Sequence, residues 1–173
     1  VAACVYPVNE GMEVFTNTPR VIESRKMTLE LIMSTHDRRC LSCPRSTNCE
    51  LQALCKEYGI EDEAKFDGDK PKYEVETSNP YLVRNNNKCI LCRRCSAVCS
   101  ALQGVGVIGA NERGFTTNIG CAFDMELKDS PCIARGQCVV NCPTGALVER
   151  DDTAAVMEAL ADPEKHVVIA PAP

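Results

Sequence analysis

The stretch "CILCRRCSAVCS", residues 89–100, sets four cysteines two, two and three residues apart. About forty residues later "CIARGQCVVNCP", residues 132–143, nearly repeats that rhythm, with Arg135 where a second cysteine would stand. The whole chain carries 13 cysteines in 173 residues. Thiols at this density either staple a chain through disulfides or hold metal. The odd total and the tight groups favour metal. The N-terminal "VAACVYPVNEG" lacks the charged start and apolar run of a leader peptide, so a reducing, cytoplasmic compartment is expected. Aromatic residues are only 5% and Trp is absent, which leaves little for a large core and makes a bound staple necessary. No stretch approaches the length of a membrane span. The net charge of −5 argues against a nucleic-acid surface. Arg38, Arg39, Arg93 and Arg94 adjoin cysteines and are expected to lower thiol pKa values and offset cluster charge.

Spacing narrows the metal. A loop with two-residue intervals wraps three corners of an iron–sulfur cube, and a fourth thiolate arrives from a helix leading away, as in the run C-x2-C-x2-C-x3-C-P. Three cysteines of one run then share a cluster with the last cysteine of the other. On that logic Cys89, Cys92, Cys95 and Cys142 hold one [4Fe-4S] cluster, and Cys142 carries the expected Pro143. Zinc, or thiols without metal, is the competing reading. The partner site has Cys99, Cys132 and Cys138 in place, but Arg135 has no lone pair to offer. Three outcomes are compatible with this: Cys121 supplies the missing thiolate, a [3Fe-4S] cluster forms, or the site is empty. The reading adopted keeps a cluster there with Cys121 as first substitute. Cys121 as a small buried hydrophobe is the alternative.

"HDRRCLSCPRSTNC", residues 36–49, adds His36, Cys40, Cys43 and Cys49. This set suits a zinc knuckle of three cysteines and one histidine, or a [4Fe-4S] cluster with one imidazole ligand. A neutral imidazole in place of a thiolate removes negative charge and raises the reduction potential. Cys55, six residues past Cys49 on an expected helix, reads as core.

Around these motifs the chain is expected to be α+β. Residues 1–26 read as the end of a small β unit around a Glu10-Gly11 turn. Residues 23–36 show helical periodicity through Met27, Leu31 and Ile32. A second short helix ends before Gly59. Residues 61–80 read as a linker loop, and "PYLVRNNNKC" as a strand and turn. "GVGVIG", residues 104–109, lacks the setting of a nucleotide loop and is expected to form turns or a strand over a cluster. The last 22 residues read as a helix and a strand "HVVIA".

"THDRRCLSCPRSTNCELQ", "SNPYLVRNNNKCILCRRC", "SPCIARGQCVVNCPTGAL" and "ADPEKHVVIAPAP" together resemble the N-terminal accessory region of [FeFe]-hydrogenases. The first two motifs also occur in complex I large subunits and NAD-linked formate dehydrogenases, while "EKHVVIAPAP" resembles the opening of a hydrogenase catalytic domain. The resemblance implies four parts. Residues 1–26 would be the remnant of a plant-type, β-grasp [2Fe-2S] ferredoxin unit, with Cys4 its last ligand in a full-length protein. Residues 27–80 would be a small helical [4Fe-4S] domain, ligated by one histidine and three cysteines, with its linker. Residues 81–150 would be a bacterial-type two-cluster ferredoxin domain, and 151–173 would lead into a catalytic domain. The chain then looks like an internal piece of a larger iron hydrogenase. It would relay single electrons between that enzyme's H-cluster domain and a ferredoxin or flavoprotein, NADH-dehydrogenase-type subunits, with no catalytic residue of its own. A relay in complex I or formate dehydrogenase is the runner-up, and a zinc-stabilised interaction module the reading from another class.

Overall fold

The computed structural model describes residues 3, 5–61, 65, 66 and 68–171. Its architecture is mixed, with short helices around two small antiparallel ribbons. Thr18 caps the first helix, its hydroxyl oxygen accepting from the Val21 amide, and Pro19 occupies the first turn, where its missing N–H costs nothing. α1 (Pro19–Thr35) therefore starts before Glu23. Its buried face is not the expected one: Met27 and Leu31 are 45% and 50% exposed, whereas Leu29 is buried. Leu29, Ile32 and Met33, three and four positions apart, pack on Leu51 and Cys55 of α2 (Glu50–Glu57). The helical period was right and its phase was not.

Residues 81–150 form the second unit. β1 (Leu82–Arg84) pairs antiparallel with β4 (Leu147–Glu149), Val83 opposite Val148, which closes the two ends of this unit on each other. β2 (Gly109–Asn111) pairs with β3 (Asn118–Gly120). α3 (Arg94–Ala97), prolonged by a wider turn at Val98–Leu102, and α4 (Gln137–Val140) follow the two cysteine loops. The core comprises Leu82, Val107, Ile108, Ile119, Leu127, Val139 and Leu147 with Cys95, Cys121 and Cys142, and Cys89, Cys99, Cys132 and Cys138 pack against it. Cysteines thus account for much of the packing in a core poor in large side chains.

Two expected strands do not form. Among the described residues of 1–26 there is a turn at Glu10-Gly11 but no strand, and Val5, Val8, Val14 and Phe15 are exposed. After α5 (Thr153–Ala161), "HVVIA" is irregular, with Val168 and Ile169 exposed. A strand needs a neighbour for its hydrogen bonds, and neither segment has one here. Conversely, the part of the 61–80 linker nearest β1 is fastened down. The Tyr73 amide donates to Asn87 Oδ1, Asn87 Nδ2 donates to the Tyr73 carbonyl, and Glu76 bridges to Arg84 through backbone bonds in both directions. Cys4 lies outside the described residues.

Candidate functional site

Each cysteine loop is shaped by left-handed backbone. Leu91 and Arg93 take φ of 55° and 59° between Cys89 and Cys95, which turns the chain around a central space. Glycine would adopt these angles without strain, so the loop holds two non-glycine residues in a costly conformation. The repeat does the same at Ala134 (φ 53°) and Gly136 (φ 70°). Arg93 and Gly136 then start α3 and α4. The two loops are one conformation used twice.

In the first, Cys89, Cys92, Cys95 and Cys142 line one pocket with Ile90, Pro143 and Thr144. The Leu91 amide donates to Cys89 Sγ at 3.4 Å, and the Ser96 amide donates to Cys95 Sγ. Burial pushes the Cys89 thiol up to about 11 and the Cys95 thiol up to about 12. The expected lowering by Arg93 and Arg94 is thus outweighed. Arg94 is held by Glu50 at 2.7 Å, and the cation that does act on Cys89 is Arg84. Without metal these thiols are protonated, so a metal must displace their protons on binding.

The second cavity is lined by Cys99, Cys132, Cys138, Val105, Val107, Gln103 and Arg135. Cys121 is not among the lining residues. It is 2% exposed in the core, its thiol pushed up chiefly by burial. Val105 and Val107 place part of "GVGVIG" over this cavity.

His36, Cys40, Cys43 and Cys49 come from the C-cap of α1, the turn Cys40–Ser42 with its following residue, and the N-cap of α2. His36 Nδ1 is buried without a hydrogen-bond partner, and burial, then Lys88, lower the imidazole pKa to about 4. A neutral, dry nitrogen with no partner is what a metal-binding imidazole offers. Gly145 shows the same economy of space. A Cβ there would stand 2.5 Å from Cys43 Sγ, so only glycine lets this thiol pass the segment after Cys142.

That contact belongs to a joint between the His36–Cys49 segment and the Cys89 and Cys142 segments. Arg45 Nη2 donates to the Cys142 carbonyl at 2.6 Å, the Glu50 amide to the Pro143 carbonyl at 3.0 Å, and the Asp37 amide to the Asn87 carbonyl at 2.8 Å. Lys88 Nζ, buried, donates to the Asp37 carbonyl and stands 3.4 Å from its carboxylate. Residues flanking His36 and Cys49 therefore grip residues flanking Cys89 and Cys142. Among the described residues, no cysteine is disulfide-bonded, and no three His, Cys, Asp or Glu side chains converge as a single ion requires.

Comparison with known proteins bears on what these cavities hold. Residues 25–64 match the NADH-ubiquinone oxidoreductase-G iron-sulfur binding region, and residues 88–146 match the 4Fe-4S dicluster domain. The chain carries an iron–sulfur electron-transfer segment of the hydrogenase and complex I type. This segment is 43% identical over 99% of its length to the NADP-reducing hydrogenase subunit HndD of Solidesulfovibrio fructosivorans, of which it covers 29%. It is 33% identical over its full length to iron hydrogenase 1 of Clostridium pasteurianum, covering 30% of that protein. It is also 32% identical over 87% of its length to the NADH-ubiquinone oxidoreductase 75 kDa subunit of Reclinomonas americana, covering 21%. The chain thus spans less than a third of these relatives. The crystal structure of an NAD+-reducing [NiFe]-hydrogenase in the H2-reduced state superposes with a TM-score of 0.79 at 27% identity, over 87% of this chain and 64% of that one. No helix among the described residues is long and apolar enough to cross a membrane.

Several residues that build the iron–sulfur segment escaped the sequence reading. Lys88 and Asp37 adjoin Cys89 and His36, and Thr144-Gly145 follows Cys142-Pro143, so proximity to a ligand was the available signal. The pairs Lys88–Asp37, Thr144–Lys88 and Gly145–Cys43 are 51 or more residues apart, and local spacing does not encode that.

Proposed function

We propose that this segment relays single electrons within an [FeFe]-hydrogenase, with one [4Fe-4S] cluster on His36, Cys40, Cys43 and Cys49 and another on Cys89, Cys92, Cys95 and Cys142. Cys99, Cys132 and Cys138 hold a third centre. The observation that carries the reading is that Cys89, Cys92, Cys95 and Cys142 line one pocket, while no three such side chains among the described residues converge as the ligands of a single zinc ion would, at about 2.3 Å from the metal. Bound there, a [4Fe-4S] cluster accepts and returns one electron at a time.

The chain's own residues do the rest. The Leu91 and Ser96 amides aim N–H dipoles at sulfur, which stabilises negative charge. The apolar lining from Ile90, Ile119 and Leu147 keeps water away. His36, held neutral, contributes no charge where a thiolate would. Arg45, Lys88 and Gly145 hold the two ligand sets against each other. Partners are the enzyme's own catalytic H-cluster domain and an NADH-oxidising flavoprotein subunit or a ferredoxin. Cys4 joins a [2Fe-2S] centre only with cysteines supplied from elsewhere in the full protein.

Hydrogenase is favoured over complex I because the two hydrogenase relatives align with 99% and 100% of the chain, the complex I relatives with 84–87%. Anaerobic purification tests the relay itself: a brown protein bleached by dithionite supports it, and a colourless zinc protein contradicts it. Hydrogen-dependent reduction of a viologen dye by the whole protein tests the hydrogenase assignment, and absence of that activity in the iron-loaded whole protein counts against it.

A further inference from the structure

The second cavity keeps the shape of the first and loses one ligand. Ala134 and Gly136 reproduce the left-handed turns of Leu91 and Arg93, so the loop still wraps a central space. Cys132 and Cys138 line it from the loop and from α4, and Cys99 lines it from the other repeat, as Cys142 lines the first. At the remaining corner stands Arg135, whose Nη1 donates to Gln103 Oε1 at 3.2 Å, and both residues belong to the wall. A protonated guanidinium has five donors and no lone pair for iron. Cys121 lines neither cavity and is buried in the core beside them. Moving it would leave a hole in that core, where it is only 2% exposed.

The residues present therefore do not fit a four-thiolate cubane. We propose that this pocket holds a three-iron [3Fe-4S] cluster on Cys99, Cys132 and Cys138, with Arg135, steadied by Gln103, closing the corner that a fourth iron would occupy. The inference deepens the relay reading and depends on it. Its chemistry is consistent with the charges. A three-iron cage needs one thiolate fewer, and the guanidinium donates hydrogen bonds to inorganic sulfide at the open face. Fewer thiolates and a fixed cation also favour the reduced state, so this centre has a higher potential than a four-cysteine cluster in the same loop.

The test is anaerobic reconstitution with ferrous iron and sulfide, followed by EPR of oxidised and reduced samples and an iron count. It is applied to the native protein, to Arg135→Cys and to Cys121→Ala. The native protein is expected to show an oxidised-state three-iron signal alongside two reduced-state cubane signals. Arg135→Cys is expected to lose the three-iron signal, gain a third cubane signal and bind about one more iron per chain. Cys121→Ala is expected to leave all three signals in place. Loss of the third centre in Cys121→Ala would overturn the proposal by making Cys121 the fourth ligand. Two cubane signals in the native protein with nothing oxidised-state beside them would overturn it as well, whether or not Arg135→Cys folds. Absence of every signal would overturn the relay reading together with the proposal, and so is told apart from failure at this one pocket.

Discussion

Gly145, Thr144 and His36 each hold a place on which the proposed chemistry depends. A side chain at Gly145 collides with Cys43 Sγ at 2.5 Å, so Gly145→Ala is expected to displace that thiol. The iron count should fall by the content of the His36 centre, while the Cys89 centre keeps its EPR signal. Thr144, 1% exposed, donates from Oγ1 to the Lys88 carbonyl at 2.7 Å and lies 3.8 Å from Cys142 Sγ. Thr144→Val keeps the shape and strands that carbonyl, with an expected loss of about 1–3 kcal/mol in denaturant unfolding of the loaded protein. His36→Cys adds a negative ligand and is expected to lower the potential of its centre without loss of iron. A redox titration with no shift would remove His36 from the ligand set. The proposed ligands are picked out in the sequence by residue type and spacing, which metal chemistry constrains. Gly145 is not, because its role depends on a thiol far back along the chain.

At the scale of elements, the joint between the α1–α2 unit and the β1–β4 unit decides whether the two cysteine groups are held as one. Lys88 is its buried cation, and its side chain meets both the carbonyl and the carboxylate of Asp37. Lys88→Met removes that cation and leaves Asp37 with Arg39 alone, and is expected to cost about 3 kcal/mol. Hydrogen exchange should quicken across residues 36–50 before the 81–150 unit is affected. The Asp37 carboxyl is held well below the usual range, first by its hydrogen bond to Arg39, with Lys88 adding to the effect. Its contribution is therefore fully present above the unfolded value of 3.8 and is lost as pH falls below it. Corrected for the intrinsic pH dependence of amide exchange, protection at the joint should be flat from neutral pH to about that value. Here the sequence was half legible. Periodicity found α1 and α2, but the buried stripe on α1 was set by where Leu51 and Cys55 stand, and these are tertiary facts. The β unit expected over residues 1–26 and the "HVVIA" strand read correctly as apolar, but apolar runs become strands only beside a partner.

For the whole molecule, stability and function share one source. The core is small, its cysteines double as packing atoms, and the thiols of Cys89 and Cys95 are protonated until metal arrives. Cluster assembly is therefore expected to release protons into a weakly buffered solution. Complete iron removal is expected to unfold residues 84–150 cooperatively. Far-UV circular dichroism unchanged after iron removal would show that the apolar core suffices. The relay was legible at this scale from three cysteine groups and their resemblance to hydrogenase motifs. How the groups are joined was not, because Arg45, Asp37 and Gly145 act across the fold. The most direct measurement is an EPR-monitored redox titration of the anaerobically purified protein. The account predicts at least two one-electron centres whose reduced signals broaden each other, as neighbouring paramagnets do. A protein containing zinc in place of iron, with no signal at any potential, would contradict it.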